Sequence, residues 1–215
     1  MARLKTGILI SGRGSNLKAL IDACHDPAFP AEITVVISNK AEAAGIAFAR
    51  DAGIPAIALD QRAFADRATF DLAIHERLAA AGVELVCLAG YMRLLSDGFI
   101  ERWRDRIINI HPSLLPAFRG LNAHAQALAA GVKIAGCTVH VVRPAVDSGP
   151  IVIQAAVTVL PGDTPETLAD RMLVAEHRIY PLALRLFGEG RVCIDGDRTI
   201  IAGGSDPGSI LISSG

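Results

Sequence analysis

Three short segments of this chain gather side chains that can do chemistry. In Ile107-Ile108-Asn109-Ile110-His111-Pro112, an amide and an imidazole stand two residues apart. On a strand that spacing turns both side chains to one face. The amide can hold a carbonyl oxygen, and an imidazole titrates near neutrality. The carboxyl edge of a buried parallel strand is where open α/β sheets place their sites. A histidine that only caps the turn begun by Pro112 fits the same residues equally well.

The second segment is Val146-Asp147-Ser148-Gly149-Pro150. A carboxylate brought near His111 would favour the cationic imidazole. An Asp serving the turn before Gly149 accounts for the same residue. Any contact with His111 is long-range, so spacing along the chain does not choose.

The third is Ser11-Gly12-Arg13-Gly14-Ser15-Asn16-Leu17, which follows an apolar run and opens a helical pattern. Small residues let the backbone turn sharply, and the N–H groups of a helix start favour an anion such as phosphate. A plain strand-to-helix turn capped by Ser15 or Asn16 is the alternative, but the segment is denser in small residues than a turn requires. Gly12 and Gly14 begin a G-x-G-x-x-G pattern, yet Leu17 holds its third glycine position. Ser38-Asn39-Lys40 also stands where a dinucleotide site needs an acid. A nicotinamide-dependent oxidoreductase is therefore not indicated.

The elements that must position these segments alternate. Thr6–Ile10, Ile33–Ile37, Pro55–Leu59, Leu85–Leu88 and Ile107–Ile110 are short apolar runs suited to buried parallel strands. Amphipathic stretches over Asn16–Ala23, Glu42–Ala52, Thr69–Ala81 and Asp97–Arg102 lie between them. That order predicts an α/β fold, a doubly wound, mostly parallel sheet with helices on both faces. Ala135–Val142 and Ile151–Val159 predict two longer strands around the Asp147 loop. A long helix is expected from Pro165 to Phe187, kinked or broken at Pro181. Val192–Asp195 and Arg198–Ala202 flank Gly196-Asp197 as a hairpin. Residues 1–202 read as one domain and 203–215 as a Gly/Ser-rich tail.

Composition narrows the function classes. The chain has 215 residues, 51% hydrophobic, with a formal charge of −1, so no global field favours nucleic acid or an anionic membrane. Aromatics at 5% argue against a stacking platform for single strands. No apolar run approaches a membrane span. The four cysteines form no C-x-x-C pair and suit a reduced, cytoplasmic setting. His25, His75 and His177 are scattered, and Cys137 and His140 would point to opposite faces of a strand, so no metal is predicted.

The combination of segments resembles the phosphoribosylglycinamide formyltransferase family, folate-dependent enzymes of purine biosynthesis. The matching stretches are SGRGSNL at 11–17, ISNK at 37–40, LAGYMRLLS at 88–96, NIHPSLLPAFRG at 109–120, HAQAL at 124–128, GCTVH at 136–140, VDSGPI at 146–151 and AEHRIYP at 175–181. They run in family order over nearly the whole length.

The resemblance implies a Rossmann-like formyltransferase fold and transfer of a formyl group from 10-formyltetrahydrofolate to glycinamide ribotide. It implies a catalytic trio of Asn109, His111 and Asp147. Ribotide contacts fall on Gly14, Ser15, Asn16, Leu17, Lys18 and Glu176. Folate contacts fall on Arg67, Met92, Arg93, Leu94, Leu95 and Asn109. Two departures stand out: Lys18 where Gln is common, and Arg143-Pro144-Ala145 in place of a more polar stretch. The partners implied are small molecules, and a homodimer is compatible with them. A formyltetrahydrofolate hydrolase is the neighbouring alternative, but that family carries a second His after the catalytic one, and Pro112 stands there. From a different class, a non-catalytic nucleotide- or folate-binding module would not need the trio intact.

Overall fold

The computed structural model describes residues 2–203. The expected tail therefore lies, beyond Gly203, outside the described residues. Two compact units form, Met1–Asn109 with Val142–Pro144, and Ile110–Val141 with Ala145–Gly215. Among the described residues no helix is long and apolar enough to cross a membrane.

The first unit alternates strand and helix as the sequence predicts. β1 (Leu4–Ile10), β2 (Ala31–Ser38), β3 (Ala56–Ala58), β4 (Leu85–Leu88) and β5 (Ile107–His111) pair in parallel, β1 with both β2 and β4, β2 with β3, and β4 with β5. These strands run in the order β3-β2-β1-β4-β5; β6 is Ile134–Val141 and β7 is Ile151–Thr158.

Side-chain alternation explains why these strands are apolar throughout. Leu9, Val35, Ile37, Val86 and Leu88 join Phe70, Ile74 and Leu78 of α3 (Arg67–Ala80) and Phe99 of α4 (Asp97–Arg102) in one core. The intervening Ile8, Ile10, Val36 and Cys87 are buried as well, as are Leu17 and Leu20 of α1 (Ser15–Cys24).

Helix starts differ from expectation where local chemistry decides them. α3 begins two residues early because the Asp66 carboxylate accepts from Thr69 N–H at 2.8 Å and completes a capping box. α2 (Gly45–Asp51) begins three residues late. Gly45 N–H donates to Gly12 O at 3.2 Å, which fixes its start against the preceding loop.

In the second unit, β6 and β7 are antiparallel, with a register shift between Val139 and His140. α5 covers Ala123–Ala129. α6 (Pro165–Gly188) starts at Thr164, whose hydroxyl accepts from Thr167 N–H, with Pro165 in the first turn. Of the kink or break expected at Pro181, the break is absent: the helix is continuous through it. Proline removes only one i→i−4 donor there. Leu168, Met172, Tyr180, Ala183 and Leu184 are buried along the helix and hold it from both sides of that turn. β8 (Val192–Asp195) and β9 (Arg198–Ile201) form the expected hairpin.

Candidate active site

His111 is the last residue of β5 and is buried. Its Nδ1 lies 3.3 Å from Asp147 Oδ2. Its Nε2 lies 3.0 Å from the Phe118 carbonyl oxygen. A carboxylate and a carbonyl only accept, so both ring nitrogens donate when the ring is an imidazolium. The histidine is therefore more than a cap on the Pro112 turn.

Asp147 has left-handed backbone, with φ 47°. That conformation is uncommon for a residue with a side chain, although Asp tolerates it better than most. It brings the carboxylate to three partners. Oδ2 accepts from Gly120 N–H at 2.9 Å as well as facing His111, and Oδ1 lies 3.6 Å from His140 Nε2. Burial pushes the Asp147 carboxyl up. The His140 ring 3.6 Å away, the hydrogen bond from Gly120 N–H and the charge of His111 outweigh that effect and hold the carboxyl below its usual range. The turn role expected of Asp147 is thus joined to an electrostatic one.

His140 was not among the residues assigned a role from sequence. Its Nδ1 is 3.1 Å from Val141 O, so both of its nitrogens also face acceptors. Burial and the charge of His111 push the His124 imidazole on α5 down. One carboxylate between two histidines thus organises this part of the second unit. A cavity of about 420 Å³ reaches Asp147 and is bordered by Leu115, Pro116, Arg119, Gly149, Arg198 and Thr199.

The turn behind His111 is pinned by a buried hydroxyl. Thr138 Oγ1 donates to Ser113 O at 2.6 Å and accepts from Leu115 N–H at 3.1 Å. Gly136 makes room for the same turn, since a Cβ there would lie 2.7 Å from Leu114 Cδ2. Glu176 is buried on α6.

In the first unit, Asn109 precedes His111 by two residues on β5 and pairs with Leu88 of β4. Gly14 occupies the position before α1 with φ 77°, and no side chain caps the helix. The capping role open to Ser15 or Asn16 is therefore not what the structure shows. Gly14 is required twice: by its left-handed backbone and by its neighbour, because a Cβ would sit 2.6 Å from Gly45 Cα.

The ribotide assignments separate by burial. The Leu17 side chain is wholly buried, so only its backbone can face a ligand. Lys18 is exposed and pairs with Asp22 at 2.7 Å. Arg67, a folate assignment and not a ribotide one, opens α3 at the surface.

Beyond β4, Met92 and Leu94 are 72% and 60% exposed, whereas Leu95 is buried. Two large apolar side chains in solvent on one short segment suit a flat ligand better than a core. Arg93 lies over the Phe70 ring at 4.7 Å and donates to Gln61. The departure at Arg143 is structural, because its guanidinium pairs with Asp105 at 2.5 Å. No group of three or more His, Cys, Asp and Glu side chains able to hold a metal occurs among the described residues.

The sequence pattern of the formyl transferase family matches residues 4–184. This chain belongs to the formyl transferase family. The phosphoribosylglycinamide formyltransferase of Haemophilus influenzae is 42% identical over 205 residues, which cover 95% of this formyl transferase and 97% of that protein. The solved structure of glycinamide ribonucleotide transformylase 1 from Symbiobacterium toebii is 55% identical with a TM-score of 0.91, covering 93% of this chain and 94% of that one. The bovine trifunctional purine biosynthetic protein adenosine-3 is 50% identical over 88% of this formyl transferase, but the match spans only 19% of that longer protein.

Proposed function

We propose that this formyl transferase passes the formyl group of 10-formyltetrahydrofolate to the amine of glycinamide ribotide, the N1-(5-phosphoribosyl)glycinamide of purine biosynthesis. The observation that carries the reading is His111 held between Asp147 and the Phe118 carbonyl, on the strand that also carries Asn109. The exposed Met92 and Leu94 fit the flat ring system of a folate. The uncapped start of α1, with Gly14 before it, fits the ribotide phosphate.

The bound folate supplies an electrophilic formyl carbon. Asn109 and the His111 imidazolium donate to the formyl oxygen as negative charge develops on it. For that, Nε2 exchanges the Phe118 carbonyl for the substrate oxygen. Asp147 keeps the ring oriented through Nδ1 and keeps its positive charge balanced. The amine nitrogen forms the new bond to carbon while the bond from carbon to the folate nitrogen breaks. One proton moves from the attacking amine to that nitrogen, and Asp147 organises the water that relays it. No covalent bond to the protein is required.

The test supplies ribotide and a donor labelled with carbon-13 in the formyl group. Mass spectrometry should find the label on the ribotide. Label found only in formate would identify a hydrolase instead.

A further inference from the structure

The segment from Met92 to Ser96 puts Met92 and Leu94 into solvent, and both of its ends are tied to buried side chains of other elements. At the start, Met92 N–H donates to Ser11 Oγ at 2.8 Å. The same hydroxyl donates its one hydrogen to Asn39 Oδ1 at 2.6 Å. Ser11 and Asn39 are 5% and 8% exposed, so water does not readily replace either partner. At the far end, Ser96 N–H donates to Asp71 Oδ2 at 2.6 Å, and Asp71 is 1% exposed. A hydrogen bond to a charged acceptor is among the stronger ones. Ser96 then caps α4, its hydroxyl accepting from Phe99 N–H. Neither Ser11 nor Asp71 presents an exposed surface to a ligand. What they share is the segment between them.

We propose that Ser11 and Asp71 are positioning residues, which hold the 92–96 segment at the spacing that lets Met92 and Leu94 seat the folate ring. The inference rests on reading that segment as a wall of the folate site. Ser11 also stands one residue before the Gly12–Gly14 loop that leads into α1. One hydroxyl thus fixes the folate wall relative to the loop assigned to the ribotide, within the same unit.

The test is a steady-state comparison of five proteins: wild type, Ser11→Ala, Asp71→Ala, Asp71→Asn and Met92→Ala. Removing one buried partner leaves Met92 or Ser96 N–H unsatisfied, so the folate KM should rise roughly fivefold to tenfold in Ser11→Ala and in Asp71→Ala, with kcat changed by less than about twofold. Asp71→Asn keeps an acceptor for Ser96 N–H, so its folate KM should stay near wild type.

Met92→Ala separates the two levels of the argument. If it leaves the folate KM unchanged, the wall is misassigned. If it raises KM while Ser11→Ala and Asp71→Ala do not, the wall stands and the positioning role is overturned. An equal loss of kcat and rise of KM in both alanine variants would make the pair merely structural and also overturn the role. Should Ser11→Ala fail to fold, the Asp71→Ala and Asp71→Asn pair carries the same test.

Discussion

At His111 the chemistry depends on which atoms the ring faces. Both nitrogens meet acceptors, so the residue is set up to donate rather than to act as a nucleophile or a metal ligand. His111→Ala should lower kcat roughly 10²–10³-fold, the usual loss for one oxyanion donor. Its folding should change by about 1 kcal/mol, because Asp147 keeps the Gly120 N–H and His140. Single-turnover rates and a denaturant titration check the two halves. Near-normal turnover would remove His111 from the mechanism.

Asp147 gives a prediction with a sign. Its carboxyl is held below the usual range in the folded chain. It therefore contributes stability at pH values above its unfolded pKa, near about 4. That contribution is lost as pH falls through the lower folded value. The urea midpoint of the wild type should thus drop more steeply below about pH 4 than that of Asp147→Asn. At neutral pH the same variant should lose activity, since the carboxylate that faces His111 Nδ1 is gone. Parallel midpoints across the acid range would refute the electrostatic role.

The elements were largely legible. Apolar runs gave every strand of the first unit to within a few residues, and His111 proved to be the strand end on which the sheet edge places it. What the sequence could not show was contact over distance. Nothing local in the sequence indicates that His140 faces Asp147 seven residues on. Asp71 carries no signal in the sequence, and Ser11 only its place at the head of the glycine-rich segment, because their partners are backbone N–H groups far along the chain. At Pro181, packing along α6 keeps unbroken a helix that local propensity would interrupt.

Gly14 is the element-scale test. Ala there would be forced into left-handed backbone and against Gly45 Cα. The substitution should destabilise the chain by roughly 1–3 kcal/mol and raise the ribotide KM more than the folate KM. A variant of unchanged stability and KM would show that the loop tolerates a side chain and does not shape a phosphate site.

At the scale of the whole molecule, near-neutral charge makes the anion-binding role local. The helix start proposed for the ribotide phosphate lies in the first unit, and the Asp147 system lies in the second. The sequence pattern of the family spans 181 of the positions, from 4 to 184, and so includes the trio, the glycine-rich loop and Glu176. The β8–β9 hairpin lies past that span, yet Arg198 and Thr199 border the cavity at Asp147. The most direct test of the central claim follows tetrahydrofolate release from 10-formyltetrahydrofolate with and without glycinamide ribotide. Formyl transfer predicts release that requires the ribotide and matches the formylated product one for one. Release at the same rate without ribotide would contradict it.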